Sequence, residues 1–455
     1  MSLWLLTPWR AIWENARVGA PARDLWARLI QVWAFAHHAA AGEWCFSTLQ
    51  KELPSMAQMS TRGVAVIALM MLAGSVSSGA ALAHALDPAA SDGVGGEVGV
   101  RVVQGQNPRV TIPTGLKHAT LPTGEMVAMP TEVVWKPVCW AGSPGSMTAA
   151  DLLQMSESHA RLMKEGPVTI VNSTVSRAGL DVVYVLGASV PSAAIPAFAA
   201  AEAYLESQFP AENMTLTVTV SFASLGSGIL GGTGSSYGSL AWSSSRSTLV
   251  AGMDGNDTIQ SSLPSGTTIP VRYRANRTTN EDRVFWTFAN FKANGGAVSG
   301  NDANMQYSTN FPFDYDPSDG VTANTISLQD VIIHETGHAM GFTSGIDFRS
   351  NDIEVIDVFR FTVTDGNGDF NPDTAAEFGA RPRWAIYNYN DNYNFDTIAS
   401  EYRLSDGSPW QASHFREQTP AIGIMDPAFN YGETFYPSFL RTSDLTVFDA
   451  IGYDR

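Results

Sequence analysis

The chain has 455 residues, 44% hydrophobic and 16% charged, with a formal net charge of -17. That is enough apolar material for a sizeable core and too little charge for a disordered chain. The acidic balance argues against nucleic acid as a partner, and two cysteines, Cys45 and Cys139, cannot build a disulfide framework.

In chain order, residues 1–55 hold six of the twelve tryptophans and are expected to be a spurious or disordered N-terminal extension. Residues 56–85 have the layout of a secretory signal peptide: a positive start at Met59–Arg62, an apolar run at Val64–Leu72, and Ala83-His84-Ala85 as a small-residue cleavage pattern. The apolar run is too short to span a bilayer, and no later segment has about 18 consecutive apolar residues, so no transmembrane segment is expected in the mature chain. The expectation is a secreted protein, extracellular or periplasmic, and a monomer.

Residues 86–166 read as an N-terminal accessory or pro-region. Asp87–Gly99 has linker composition, Val100–Val103 and Glu132–Trp135 read as strands, and Ala149–Glu165 has helical spacing of Leu152, Leu153, Met155 and Leu162. A catalytic domain is expected over 167–455. Val168–Val171, Leu180–Val185 and Leu216–Phe222 read as strands, and Pro196–Phe209 as an Ala-rich helix. Ala223–Ser247 is Gly/Ser-rich and reads as a loop, 284–292 as a short helix, and Phe311–Gly320 as an acidic turn-rich loop. Met305–Thr309 reads as a strand at a candidate sheet edge, open to strand addition. The fold class is α+β.

A helix opens at Ser327-Leu-Gln-Asp330, a capping-box-like start, and leads into Val331-Ile-Ile333 and then His334-Glu335-Thr336-Gly337-His338. Positions i and i+4 lie on one helix face, so both imidazoles can reach one zinc ion. Glu335 is rotated about 100° from His334, where a base acting on activated water belongs. Catalytic zinc usually takes three protein ligands, and the next histidine in the short extended pattern would fall at 344, which is Ser344. Gly341 is positioned to end the helix sharply. The one histidine after the motif is His414, in Ala412-Ser413-His414-Phe415, followed by Ile422-Gly423-Ile424-Met425-Asp426-Pro427. Glu354 or Asp357 could instead supply a third, carboxylate ligand in a thermolysin-like His2Glu arrangement, with Asp347 a further candidate.

The combination of H-E-x-x-H-x-x-G, a long insertion, S-H-aromatic and a Met-containing turn resembles leishmanolysin and the bacterial secreted metalloproteases related to it, within the metzincins. The resemblance implies a metzincin-like catalytic domain: a twisted mixed sheet, an active-site helix, and a lower subdomain carrying the third ligand and the Met-turn. It implies His334, His338 and His414 as zinc ligands, Glu335 as general base, Met425 as the Met-turn residue, and a protein or peptide substrate. Leishmanolysin is disulfide-rich and this chain is not, so disulfide-supported detail does not carry over.

Two further signals stay open. Asp365, Asn367, Asp369, Asn371 and Asp373 fit either the first half of a calcium loop or a Gly-rich hairpin turn. Cys139, in Pro137-Val138-Cys139-Trp140, fits either a buried structural thiol or a thiolate plugging zinc in a latent precursor. The function read from the sequence is a secreted zinc endopeptidase; the alternatives are a His2Glu hydrolase and a non-catalytic zinc-containing binding or adhesion module.

Overall fold

The computed structural model describes residues 100–103, 108–144, 147–172, 179–255, 258–274, 277–346, 353–362, 372, 374–385, 393–397 and 400–455. The chain divides into two units, Met1–Gly95 and Gly96–Arg455, and every described residue belongs to the second. The N-terminal extension, the signal segment, Asp347 and the five calcium candidates lie outside the described residues. None of the helices among the described residues is long and apolar enough to cross a membrane.

The N-terminal part gives β1 (Arg101–Val103), β2 (Arg109–Thr120), β3 (Met126–Ala141), α1 (Ala149–Leu162), β4 (Thr169–Val171) and β5 (Asp181–Leu186). The chain continues through α2 (Ile195–Gln208), β6 (Thr215–Ala223), β7 (Ile229–Ala241), α3 (Trp242–Ala251), β8 (Ile269–Arg274), β9 (Arg277–Glu281) and β10 (Arg283–Thr287). Then come α4 (Phe288–Ala293), β11 (Ala303–Ser308), β12 (Phe313–Asp314), β13 (Ile326–Ser327) and α5 (Leu328–Met340). The C-terminal part holds β14 (Arg360–Thr362), α6 (Ala375–Ala380), β15 (Arg383–Trp384), β16 (Tyr393–Thr397), β17 (Ser400–Arg403), β18 (Ala428–Phe429) and α7 (Thr442–Ala450).

A ten-stranded mixed sheet runs β1-β2-β3-β7-β11-β6-β5-β4, with β10 added to β7 and β18 to β3. Strands β5, β6 and β11 are parallel, whereas β7 is antiparallel to β11, and β3 antiparallel to β7. One face carries α2 and α5 over the main core; α1 covers a second cluster on the other face with Trp135, Trp140 and Leu152. The architecture is α+β, as expected. The segment read as an accessory or pro-region supplies β1–β3 to the same sheet as the residues after 167.

Three local readings are corrected. Ala223–Ser247 is not a loop: β7 fills most of it and α3 begins at Trp242. Its glycines signal close approach rather than a turn, since a Cβ at Gly234 would lie 2.3 Å from the Trp135 ring and one at Gly238 1.8 Å from Met129 Sδ. Residues 284–292 are not one helix but β10 followed by α4. The strand at 305–309 is not an edge, because β11 lies between β6 and β7. Met305, Gln306 and Tyr307 are all fully buried, as an interior strand covered on both faces requires.

Candidate metal centre

The site is built on α5. Ser327 caps it by accepting the Asp330 amide, but Asp330 does not reach back to complete a capping box. Its carboxylate instead accepts from Thr434 Oγ1 at 2.8 Å and the Phe435 amide at 2.7 Å, tying the helix start to the C-terminal part. All of α5 is buried, which suits a helix enclosed between sheet and C-terminal segments. It ends at Gly341, left-handed at φ 111° and ψ 10°, where the Phe342 amide bonds back to Gly337 O at 3.0 Å.

His334 and His338 meet on one face of α5 with Nε2 atoms 3.1 Å apart, and His414 Nε2 lies 3.2 Å from that of His338. Each Nδ1 faces a backbone carbonyl: Ile424 O at 2.8 Å for His334, Phe342 O at 2.7 Å for His338 and Gln411 O at 3.3 Å for His414. A carbonyl only accepts, so each Nδ1 carries the proton and each Nε2 presents a lone pair. Three buried lone pairs facing one another repel unless a cation joins them. Burial holds His334 down to about 4 and His338 and His414 well below the ordinary range, so the trio is neutral at pH 7. Neutral imidazoles with fixed tautomers are the form that binds metal.

His414 arrives from far along the chain because its segment is tied down at several points. Ser413 Oγ accepts the Ser344 amide at 3.0 Å, joining it to the turn after α5. Arg360, fully buried, donates to Ser405 O at 3.0 Å, to Ala412 O at 2.9 Å and to Asp357. Met425 lies against α5 between the two histidine turns: a Cβ on Gly337 would fall 2.5 Å from its Sδ. The Asp444 carboxylate accepts the Ile424 and Met425 amides at 3.0 and 3.1 Å, fixing the turn that also supplies the Ile424 carbonyl to His334.

Glu335 is buried beside the trio. Thr233 Oγ1 of β7 donates to its Oε2 at 2.6 Å, and Oε1 has no hydrogen-bond partner among the described residues. Burial raises its carboxyl to about 8, with the Thr233 bond and then the Cys139 backbone opposing. Cys139 completes the surroundings. Its sulfur lies within 4.8 Å of a ligand atom of His334 and of Glu335, and burial, with the Glu335 charge next, pushes its thiol up.

The structure therefore brings together His334, His338, His414, Glu335, Met425 and Gly341. It does not bring in the rival carboxylates. Glu354 pairs with Lys136, and Asp357 accepts from Ser344 Oγ, Gly345 N and Glu354 N. Both are committed to framing the insertion after α5, and neither groups with the histidines. Thr233, Asp444 and the three carbonyls escaped sequence reading, because nothing in a Gly/Ser-rich stretch or a lone acid marks its distant partner. No family model, curated protein or solved structure matches the chain, so the family resemblance rests on these residues alone.

Proposed function

We propose that the chain is a secreted, zinc-dependent endopeptidase of the metzincin kind, similar to leishmanolysin. The observation that carries this reading is the convergence of three Nε2 lone pairs beside a carboxylate with a free oxygen. Three nitrogens held about 2.0–2.1 Å from one ion at tetrahedral angles sit about 3.3 Å apart, close to the spacing observed. Bound there by His334, His338 and His414, zinc supplies Lewis acidity, acidifying water and polarising a carbonyl.

The chain's own groups do the rest. Glu335 accepts the proton of the attacking water and returns it to the departing amine. Its Oε1 is the available acceptor, while Thr233 holds Oε2 and fixes the carboxylate plane. The cation's charge opposes the burial that raises Glu335, favouring the ionised form a base needs. A purely structural metal site has no use for such a carboxylate, which speaks against the binding-module alternative.

Substrate adds as a strand to β7, on the side now taken by β3. With β3 in place the three histidines and Glu335 are buried, which favours a latent precursor in which Cys139 stands over the site. The test is casein hydrolysis before and after limited proteolysis, with chelator and added zinc. Glu335→Gln should abolish hydrolysis and keep stoichiometric zinc, whereas His414→Ala should lose zinc. Full zinc and full activity in the His414 variant would refute the ligand assignment.

A further inference from the structure

Lys136 is a lysine only 2% exposed, and its ammonium group is held by Glu354, Ser344 and Tyr237, all from beyond residue 167. Nζ pairs with the Glu354 carboxylate, donates to Ser344 O at 2.9 Å and lies 5.3 Å from the centre of the Tyr237 ring. The Tyr237 hydroxyl sits 3.0 Å from Glu354 Oε2, so the carboxylate is held from two sides. A buried carboxylate deprived of its cation is costly, so this cradle calls for a positive group whenever Lys136 is elsewhere.

The position of Lys136 along β3 gives the cradle a meaning. Strand register shifts between Trp135 and Val138, and this bulge puts Lys136 on the same sheet face as Cys139, opposite to Trp135 and Trp140. Cys139 approaches His334 and Glu335. The backbone here pairs with β7 on one side, and Trp140 and Ala141 pair with β18 on the other. Lys136–Ala141 thus lies as an extended peptide substrate would: main chain bonded to a strand, one residue against the reacting groups, one side chain in a pocket.

We infer that the cradle of Glu354, Tyr237 and the Ser344 carbonyl is a specificity subsite for a basic side chain of the peptide substrate, and that Lys136 fills it in the closed chain. This rests on the endopeptidase reading. The substrate strand takes the direction of β3, so the basic residue stands at one fixed position on the amino-terminal side of the cleaved bond.

The experiment digests a synthetic peptide library with the zinc-loaded full chain after limited proteolysis, and locates the cuts by mass spectrometry. Lysine or arginine at that position should be favoured over alanine on the order of tenfold or more, as for a desolvated charge pair. Glu354→Gln should bring the ratio of lysine to alanine cleavage at that position close to one. Glu354 also caps the turn at Val355–Phe359, so Tyr237→Phe, which keeps the ring and deletes only the hydroxyl, serves as a second variant and should weaken the preference. Chelator-sensitive hydrolysis with no basic preference, or with one unchanged in both variants, overturns the subsite and leaves the endopeptidase reading standing. Absence of chelator-sensitive hydrolysis in the wild type overturns that reading and the subsite with it.

Discussion

Gly341 joins two requirements at one residue. Its left-handed backbone lets the chain leave α5 at once, and its missing side chain leaves room for Asn290, whose Cβ would lie 2.9 Å from an added Cβ. Gly341→Ala combines a left-handed penalty of about 1–2 kcal/mol with overpacking of similar size. We expect a loss of about 2–4 kcal/mol in urea unfolding and weaker zinc binding, because the displaced Phe342 carbonyl orients His338. An alanine variant with unchanged midpoint and zinc affinity would refute this. At this scale the sequence was most readable. The i, i+4 histidines, the glutamate between them and the helix-ending glycine are local, and helix geometry alone brings them together. His414 and Met425 were reached through scarcity of histidine and through resemblance, whereas Thr233 left no trace, since its role depends on β7 passing over α5.

At the scale of elements, glycine misled where it served packing. The Gly/Ser run of β7 has loop composition, yet its glycines are the spaces into which Trp135 and Met129 of β3 fit. Such pairing is invisible until the partner strand is known. Helix α1 shows the opposite case, since its apolar spacing was legible but not the buried histidine it carries. His159 Nδ1 and Nε2 lie 2.8 and 2.9 Å from the hydroxyls of Ser221 and Thr219 on β6. Burial lowers its pKa from 6.5 to about 4. The unfolded chain therefore takes up this proton below pH 6.5 while the folded chain resists until about 4. Stability from this group is complete above 6.5 and is lost as pH falls through that window. Between pH 7 and 4.5 the loss is about 2–3 kcal/mol. His159→Gln, which can hydrogen-bond without titrating, should flatten the pH profile of the urea midpoint by that amount; parallel profiles would show that α1 undocks before His159 matters.

Over the whole molecule, the α+β class was legible because strand and helix periodicities are local, but sheet order was not. Chain order suggested that the segment before residue 167 stands apart and that β11 is an edge. Instead, β3 takes the place beside β7, and the buried Lys136–Glu354 pair pins it there. This pair gives a test of how β3 is held. Lys136→Met removes one partner and leaves a buried carboxylate without its cation, a loss of about 3–5 kcal/mol. Since β3 carries Cys139 to within 4.8 Å of His334 and Glu335, thiol labelling of Cys139 in a Cys45→Ser background should then accelerate at least about tenfold if as little as 1.4 kcal/mol of that loss falls on local opening. Combining Lys136→Met with Glu354→Gln removes the stranded charge, so the double variant should recover much of the lost stability while labelling slows again. If labelling instead tracked only global unfolding, with equal rates once stability is matched by urea, β3 would be an ordinary core strand rather than a displaceable cover on the candidate metal centre.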